Sequence, residues 1–573
     1  MVDSQNMIVD EPVTVETPGL LETLGEIALE LEMYLDASGS VNLSGEIFSP
    51  LYLQGGTICI LTGAQLRKPV TVLASSTMYI APGQILSYLP NTPTPLDVGG
   101  ATLTIRGGGT LANAPDSLVR LNSEASVLEL MEDGTQVQQI ALTNTLPGAN
   151  LRIAESTPHA CNDDVSSSST RTLVIDNLTL AGSGTLGLAN AELALLAPFR
   201  LANGNSLELA GNNGKLRLSS TGSSEVDGAT LLLSGTTTLS QGTLAFSNEA
   251  TLQASGVGVL QQMAVQLSDT TLKVDKGQTL SFDNTTLSSR GALNKTSGGV
   301  LVLDQWILED NSSLTSDASI TVNQLSLSGK ALNLLSEFTL SIQDNVSLES
   351  SEHLNSGSGS IKLQSGLVVS GGQLGSTGGT ITIQEGIVFE DGTLELTDSI
   401  VEIGGEFKKT GGASDLSGTT LQLLDNLTLE SNEVLEVESL DLNDYALTLA
   451  SATSHLTVKQ PITIDAVSEG ISTGEADLRI HVDEGGTSPS LSISSGFLTS
   501  SGGEFSVYGV SSLSGSGVLN LDNSTLTLED RFEQSGGTLG LNSPELYLRD
   551  NLTWVTTSAV ALTNLDLNGK QLA

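Results

Sequence analysis

Leu421-Gln-Leu-Leu-Asp-Asn-Leu-Thr-Leu429 returns near the C-terminus as Leu546-Tyr-Leu-Arg-Asp-Asn-Leu-Thr-Trp554. The offset is 546 − 421 = 125 residues, and it holds on both sides of the match. Upstream, Phe407-Lys-Lys-Thr-Gly-Gly412 faces Phe532-Glu-Gln-Ser-Gly-Gly537; downstream, Leu440-Asp-Leu-Asn443 faces Leu565-Asp-Leu-Asn568. Fainter echoes lie at Asp176-Asn-Leu-Thr-Leu180 and at Trp306 to Asn311 followed by Leu325-Ser-Leu-Ser-Gly-Lys330. A pattern that returns at long, nearly constant spacing marks one structural unit stacked on copies of itself.

Inside that long period runs a shorter one. From Thr172 onward, apolar-x-apolar pairs recur every seven to nine residues, as at Leu440/Leu442, Leu447/Leu449 and Leu456/Val458, and again at Leu539/Leu541, Leu546/Leu548 and Leu565/Leu567. Alternation puts both apolar side chains of a pair on one face of a strand. Gly, Ser, Asn and Asp fill the gaps, where the backbone must turn and some positions need φ > 0. Strands this short are not stable as isolated hairpins, whereas corners at such even spacing suit a coil. Three beats make a rung of roughly 21–27 residues, and 125 residues would be about five rungs. The expected fold is all-β: a right-handed parallel β-helix, in which each strand bonds its counterpart one rung away, about 4.8 Å along the axis. At that rise the chain would make a rod on the order of 100 Å long. Sandwiches and propellers do not explain a beat that persists through most of the chain.

Composition agrees. Aromatic residues are 3% and charged residues 15% of the 573, so the core must be aliphatic. The net charge of −43 excludes nucleic acid and anionic membrane as expected partners and suits a soluble surface that repels its own copies. No apolar run is long enough for a membrane span. Two cysteines, Cys59 and Cys161, make no disulfide framework, and Cys59 in Ile58-Cys-Ile-Leu61 reads as a small core residue. Met1-Val-Asp-Ser-Gln-Asn6 is not a leader, so either a leader has been removed or export takes another route.

Residues 1–170 read as a less regular, β-rich N-terminal section or cap, and 171–573 as the repeat rod. Eleven of fifteen prolines, five of six methionines and both cysteines fall in the first section. Gly19–Leu35 carries both spacings. Leu20, Leu24, Ile27 and Leu31 suit a helix, while Ile27, Leu29, Leu31, Met33 and Leu35 suit a strand; the repeat-like Ser38–Gly45 that follows favours strand. Pro82, Pro90, Pro93 and Pro95 suggest an irregular insertion, and the polar Asn162–Thr170 a boundary loop.

Candidate sites are scarce. Asp-Asn followed by Ser or Thr two residues after the Asn occurs at Asp176, Asp283, Asp310, Asp344, Asp425, Asp522 and Asp550. Such sites could ligate calcium, and Asn177, Asn426 and Asn551 could accept glycans, but Asp and Asn also bond nearby backbone at tight corners, and that structural reading is favoured. The Gly-Gly steps at Gly108, Gly371, Gly378, Gly411, Gly502 and Gly536 precede no Gly-Lys-Ser/Thr and read as corners. His159, His353, His455 and His481 show no ligand spacing. No catalytic, cofactor-binding or metal-binding residues are assigned.

Thr236-Thr-Thr-Leu-Ser-Gln-Gly-Thr-Leu244 resembles the strand repeat of bacterial β-solenoid surface proteins, the repetitive adhesins and autotransporter passenger regions, and Gly536-Gly-Thr-Leu539 and Asp391-Gly-Thr-Leu394 share its ending. The resemblance covers about residues 171–573. It implies a non-enzymatic structural or adhesive rod, extracellular or at a microbial cell surface, that could belong to a filament. The expected partners are surface glycans or further copies of the chain. The alternative is a carbohydrate-active or carbohydrate-binding solenoid, a phage-type spike included; exposed aromatics in one groove beside paired acids would favour it. The second copy of the long repeat stops at Ala573 without a polar cap, so the final rung is expected to continue in a longer protein or to be covered by another subunit. Circular dichroism is expected to show strand with little helix; a helix-dominated spectrum would overturn the fold.

Overall fold

Every described regular element of the computed structural model is a β-strand. The described residues are 6–9, 13–15, 20–22, 26–29, 33–36, 40–48, 50–88, 96–112, 119–121, 126–130, 136–142, 149–153, 171–180, 183–188, 191–202, 204–482, 490–542, 544–550, 553–556, 562 and 564–573. Strand pairings among the described residues are parallel, so the chain is a parallel β-solenoid; it divides into two compact units, Met1–Asp304 and Gln305–Ala573.

In the first unit, Leu21, Val41, Ile58, Met78, Ile105, Leu130, Ile153 and Leu188 are successive parallel partners. The steps vary from 58 − 41 = 17 to 188 − 153 = 35 residues, which hides the period from a reader of the sequence. Farther on, Leu207, Leu231, Leu252 and Leu272 follow at steps of 24, 21 and 20. One coil therefore runs through both sides of residue 170, with the earlier part less even. Asn162–Thr170 lies outside the described residues.

Two expectations for this unit are decided by pairing. Leu20–Glu22, Glu26–Leu29 and Met33–Asp36 are strands, each with a parallel partner in the next rung, so alternation prevails over helical spacing in Gly19–Leu35. The stretch from Pro82 to Pro95 is not simply an insertion: Ile85–Tyr88 within it is a rung strand paired with Ala64–Leu66 and Thr110–Ala112. No proline falls inside that strand, so no ladder donor is lost. Cys59 is buried as expected, and is disulfide-bonded; Cys161 lies outside the described residues.

The second unit shows three faces per rung. Leu440, Leu447 and Leu456 open three successive strands, Ser439–Asp441, Ala446–Leu449 and His455–Val458. On the third face Leu435, Leu456, Leu478, Phe505, Leu526, Leu546 and Leu565 stack as parallel partners at steps of 19 to 27 residues. Three beats do make one rung.

The 125-residue offset, however, is not a whole number of rungs. Leu421 and Leu546 belong to different sheets. Five rungs before Leu546 in its own column stands Leu435, at 546 − 435 = 111 residues, and Leu435 is two beats past Leu421. The repeat thus equates strands on different faces. Each beat meets the same demands, two inward aliphatics and a turn, on whichever face it lies, so sequence likeness does not report the face.

The core consists of these columns. Leu427, Leu546 and Leu548 are buried, whereas Leu552 lies outside the described residues. Trp306 is wholly buried. Corners carry buried serines that bond from rung to rung: Ser399 to Ser376 and Ser524 to Ser500, each Oγ–Oγ 2.9 Å, and the Ser431 N–H to Ser454 Oγ at 2.9 Å. At Gly235 (φ +71°) a Cβ would lie 2.2 Å from the Gly211 carbonyl oxygen, so that corner requires glycine.

Full burial of a leucine contributes about 1.5–3 kcal/mol. Leu548→Asp should cost more, about 4 kcal/mol, by placing an unpaired carboxylate between apolar rungs, and should lower the melting temperature. Unchanged melting would mean that the register of this face is different.

Candidate functional site

Alternation that buries one side chain presents the next, and parallel register lines up the presented ones. In the second unit, Gln305 Nε2 donates to Gln324 Oε1 (3.3 Å) and Gln324 Nε2 to Asp344 Oδ2 (2.8 Å). His353 Nδ1 meets Gln373 Oε1 at 2.6 Å, and Gln373 Nε2 donates to Glu395 Oε2 at 2.7 Å. In the first unit Arg200 Nη2 and Asn248 Nδ2 donate to the two oxygens of Asp227 at 2.8 and 2.6 Å. Those bonds, the arginine's first, hold the Asp227 carboxyl below the usual carboxylate range. The stabilisation is present above the ordinary carboxylate pKa and is lost as pH falls through the depressed value.

The Asp-Asn motifs among the described residues serve as corners. Asn311, Asn345 and Asn426 each accept, at Oδ1, a backbone N–H one rung on, from Ala331, Gly366 and Ala446, all at 2.9 Å. Asp310 and Asp425 accept the N–H of the following asparagine at 2.8 and 2.7 Å. Asn284 and Asn523 take φ of 46° and 50°, the left-handed region that Asn tolerates best after Gly. The side chains of Asp176 and Asn177, and Asn551, lie outside the described residues. Gly108, Gly371, Gly378 and Gly502 also have positive φ, as corners require.

The histidines are not brought together. His159 lies outside the described residues, His353 belongs to a ladder, and His455 Nδ1 pairs with Asp477 Oδ2 at 2.8 Å. His481 meets the edge of Tyr508, ring centroids 4.6 Å apart. Among the described residues no three His, Cys, Asp or Glu side chains converge as a metal site would require, and no helix is long and apolar enough to cross a membrane.

One place differs from the ladders. On the third face of the second unit, Ser506, Thr527, Tyr547 and Asp566 are successive outward partners, beside a second row of Glu504, Thr525, Glu545 and Asn564. The intervening Phe505, Leu526 and Leu546 are buried and anchor these rows. Between the rows lies a depression of about 230 Å³ lined by Glu504, Thr525, Thr527, Glu545, Tyr547, Arg549, Asn564 and Asp566. Its edge is braced. Ser506 Oγ donates to Glu504 Oε1 at 2.7 Å, the Glu504 N–H donates to Asp477 Oδ1 at 2.7 Å, and the Arg549 guanidinium stands 4.7 Å over the Tyr508 ring. Thr527 is only 4% exposed, yet its hydroxyl has no hydrogen-bond partner among the described residues. A second depression, of about 260 Å³, has Val368, Ile387 and Val388 with Glu385 and Glu406, and no aromatic ring.

Sequence reasoning did not find this site. It looked for tryptophan, but Trp306 is buried and Trp554 packs against Phe532 at 5.0 Å between ring centroids. The usable signal was spacing: Tyr508 lies 27 residues after His481 and 41 before Arg549, one and two rungs. That reading needs the rung lengths first.

The fold and the outer-face site define a parallel β-solenoid with polar ladders and a depression that bears Tyr547. No family model, curated protein or solved structure matches the chain.

Removing a corner acceptor should loosen the rung above it. Asn426→Ala should speed amide hydrogen exchange at Ala446 about fivefold, equivalent to a lost hydrogen bond of about 1 kcal/mol. Asn426→Asp keeps an acceptor and should stay near wild type; equal acceleration in both variants would refute the corner role.

Proposed function

We propose that this protein is a non-enzymatic structural or adhesive solenoid, extracellular or at a microbial cell surface. The observation that carries this reading is that outward polar side chains are engaged with their own neighbours from rung to rung, as in the Gln305–Gln324–Asp344 and His353–Gln373–Glu395 ladders. Groups used this way hold the coil and present a continuous polar surface, which suits spacing and display. The net charge of −43 keeps such a surface hydrated and resists indiscriminate association. The disulfide at Cys59 suits an oxidising compartment. The likeness of Thr236–Leu244 to the repeats of bacterial surface adhesins supports the same location.

A second reading, a carbohydrate-binding solenoid, is favoured by the depression at Tyr547. The two are compatible, since an adhesive surface needs a ligand.

Immunogold labelling of intact source cells tests the location. Label on the outer surface is expected, and label appearing only after permeabilisation would overturn the proposal.

A further inference from the structure

We propose that the depression at Tyr547 binds one ring of a non-acidic glycan, a neutral or N-acetylated pyranose; this rests on the adhesive reading above and supplies its ligand class. A pyranose has an apolar C–H face and a rim of hydroxyls that both donate and accept. Recognition therefore takes aromatic surface beside a few fixed polar groups. Tyr547 supplies the aromatic surface, half-buried at the centre of the outward row. Carboxylates accept from adjacent sugar hydroxyls and form the stronger, charge-assisted kind of hydrogen bond. Glu504, Glu545 and Asp566 bring three of them to one depression. Arg549 lines it as well and supplies donors, with its guanidinium already placed over Tyr508.

The observation that points to a ligand is Thr527. Its side chain is 96% buried and lines the recess, and its hydroxyl, with no partner among the described residues, is free to bond a group held there in place of water. Thr527 lines the depression, next to Tyr547 in register, so a group held there reaches that hydroxyl. The glutamine ladders bond from rung to rung, whereas here Thr527, Glu545 and Asp566 face a recess beside a Glu504 held by Ser506.

Charge selects the class of glycan. Three carboxylates against one guanidinium repel uronic, sialic and sulfated sugars, whose own anions would meet Glu504, Glu545 and Asp566 at short range. Calcium is disfavoured as the occupant, because among the described residues no three acidic or imidazole side chains converge closely enough to hold a metal. The second depression lacks an aromatic ring and carries no such proposal.

The test uses the full chain on an array of neutral oligosaccharides of four or more rings, built from glucose, galactose, mannose or N-acetylglucosamine. Polygalacturonate and hyaluronan serve as acidic counterparts. Wild-type protein is expected to bind at least one neutral glycan and neither acidic one. Tyr547→Ala should weaken that binding tenfold or more, and Thr527→Val, which keeps the shape and removes the hydroxyl, about threefold to tenfold. Tyr547 is half-buried and Thr527→Val is close to isosteric, and thermal melting checks that the fold persists. If Tyr547→Ala does not fold, Thr527→Val and Glu545→Gln carry the test. Binding to no glycan, or to acidic glycans only, overturns the inference. So does undiminished binding by the folded variants, which would leave an adhesive role intact with its ligand held elsewhere. A negative surface-labelling result would bear on location and leave this site standing.

Discussion

The structure depends on parallel register between rungs. Each backbone donor and acceptor on a rung strand looks along the axis to the strand one turn away, so no strand is satisfied alone. Register then fixes everything transverse to the axis. A slip of one residue would turn each inward leucine out and each outward glutamate in. Columns such as Leu435, Leu456, Leu478, Phe505, Leu526 and Leu546 show how strictly this is kept, although the rungs differ in length by up to several residues. Length differences are absorbed at corners, where they do not disturb the columns.

Corners carry the second part of the architecture. A turn interrupts the ladder and frees backbone groups, and short polar side chains take them up. Asparagine does this across rungs, as Asn426 does for Ala446, while buried serines bond to one another along the axis, as Ser524 does to Ser500. The abundance of Ser, Asn, Asp and Gly follows from this geometry without appeal to a ligand. It also gives Asn311, Asn345 and Asn426 a structural task, each holding a backbone N–H one rung on.

The outward rows carry the polar side chains. Some are ladders in which one polar group bonds the next, as Gln305, Gln324 and Asp344 do. The depression at Tyr547 breaks that habit, with an aromatic ring, a sunken threonine and carboxylates braced from neighbouring rungs. Its residues come from four rungs, Glu504 to Asp566, and become neighbours only because the register brings them together.

The sequence by itself determined the strand beat, the aliphatic core, the corner residues and the parallel coil, because each depends on local alternation and turn chemistry. It suggested a 125-residue structural period that does not exist, since Leu421 and Leu546 lie on different faces and a beat carries no mark of its face. It also placed Pro82 to Pro95 outside the coil, where lateral pairing of Ile85–Tyr88 keeps part of it in. Phe407-Lys-Lys409 shows the same limit at one residue's scale. Lys408 stands outside, 3.1 Å from Glu430, while Lys409 follows Phe407 inward, with Nζ 3.0 Å from the Gly412 carbonyl and 2.5 Å from Glu433. Only the tertiary structure could decide which lysine was tolerated inside, and which outward residues share a recess. Both depend on what lies one rung away, some twenty residues distant in the chain and about 5 Å in space.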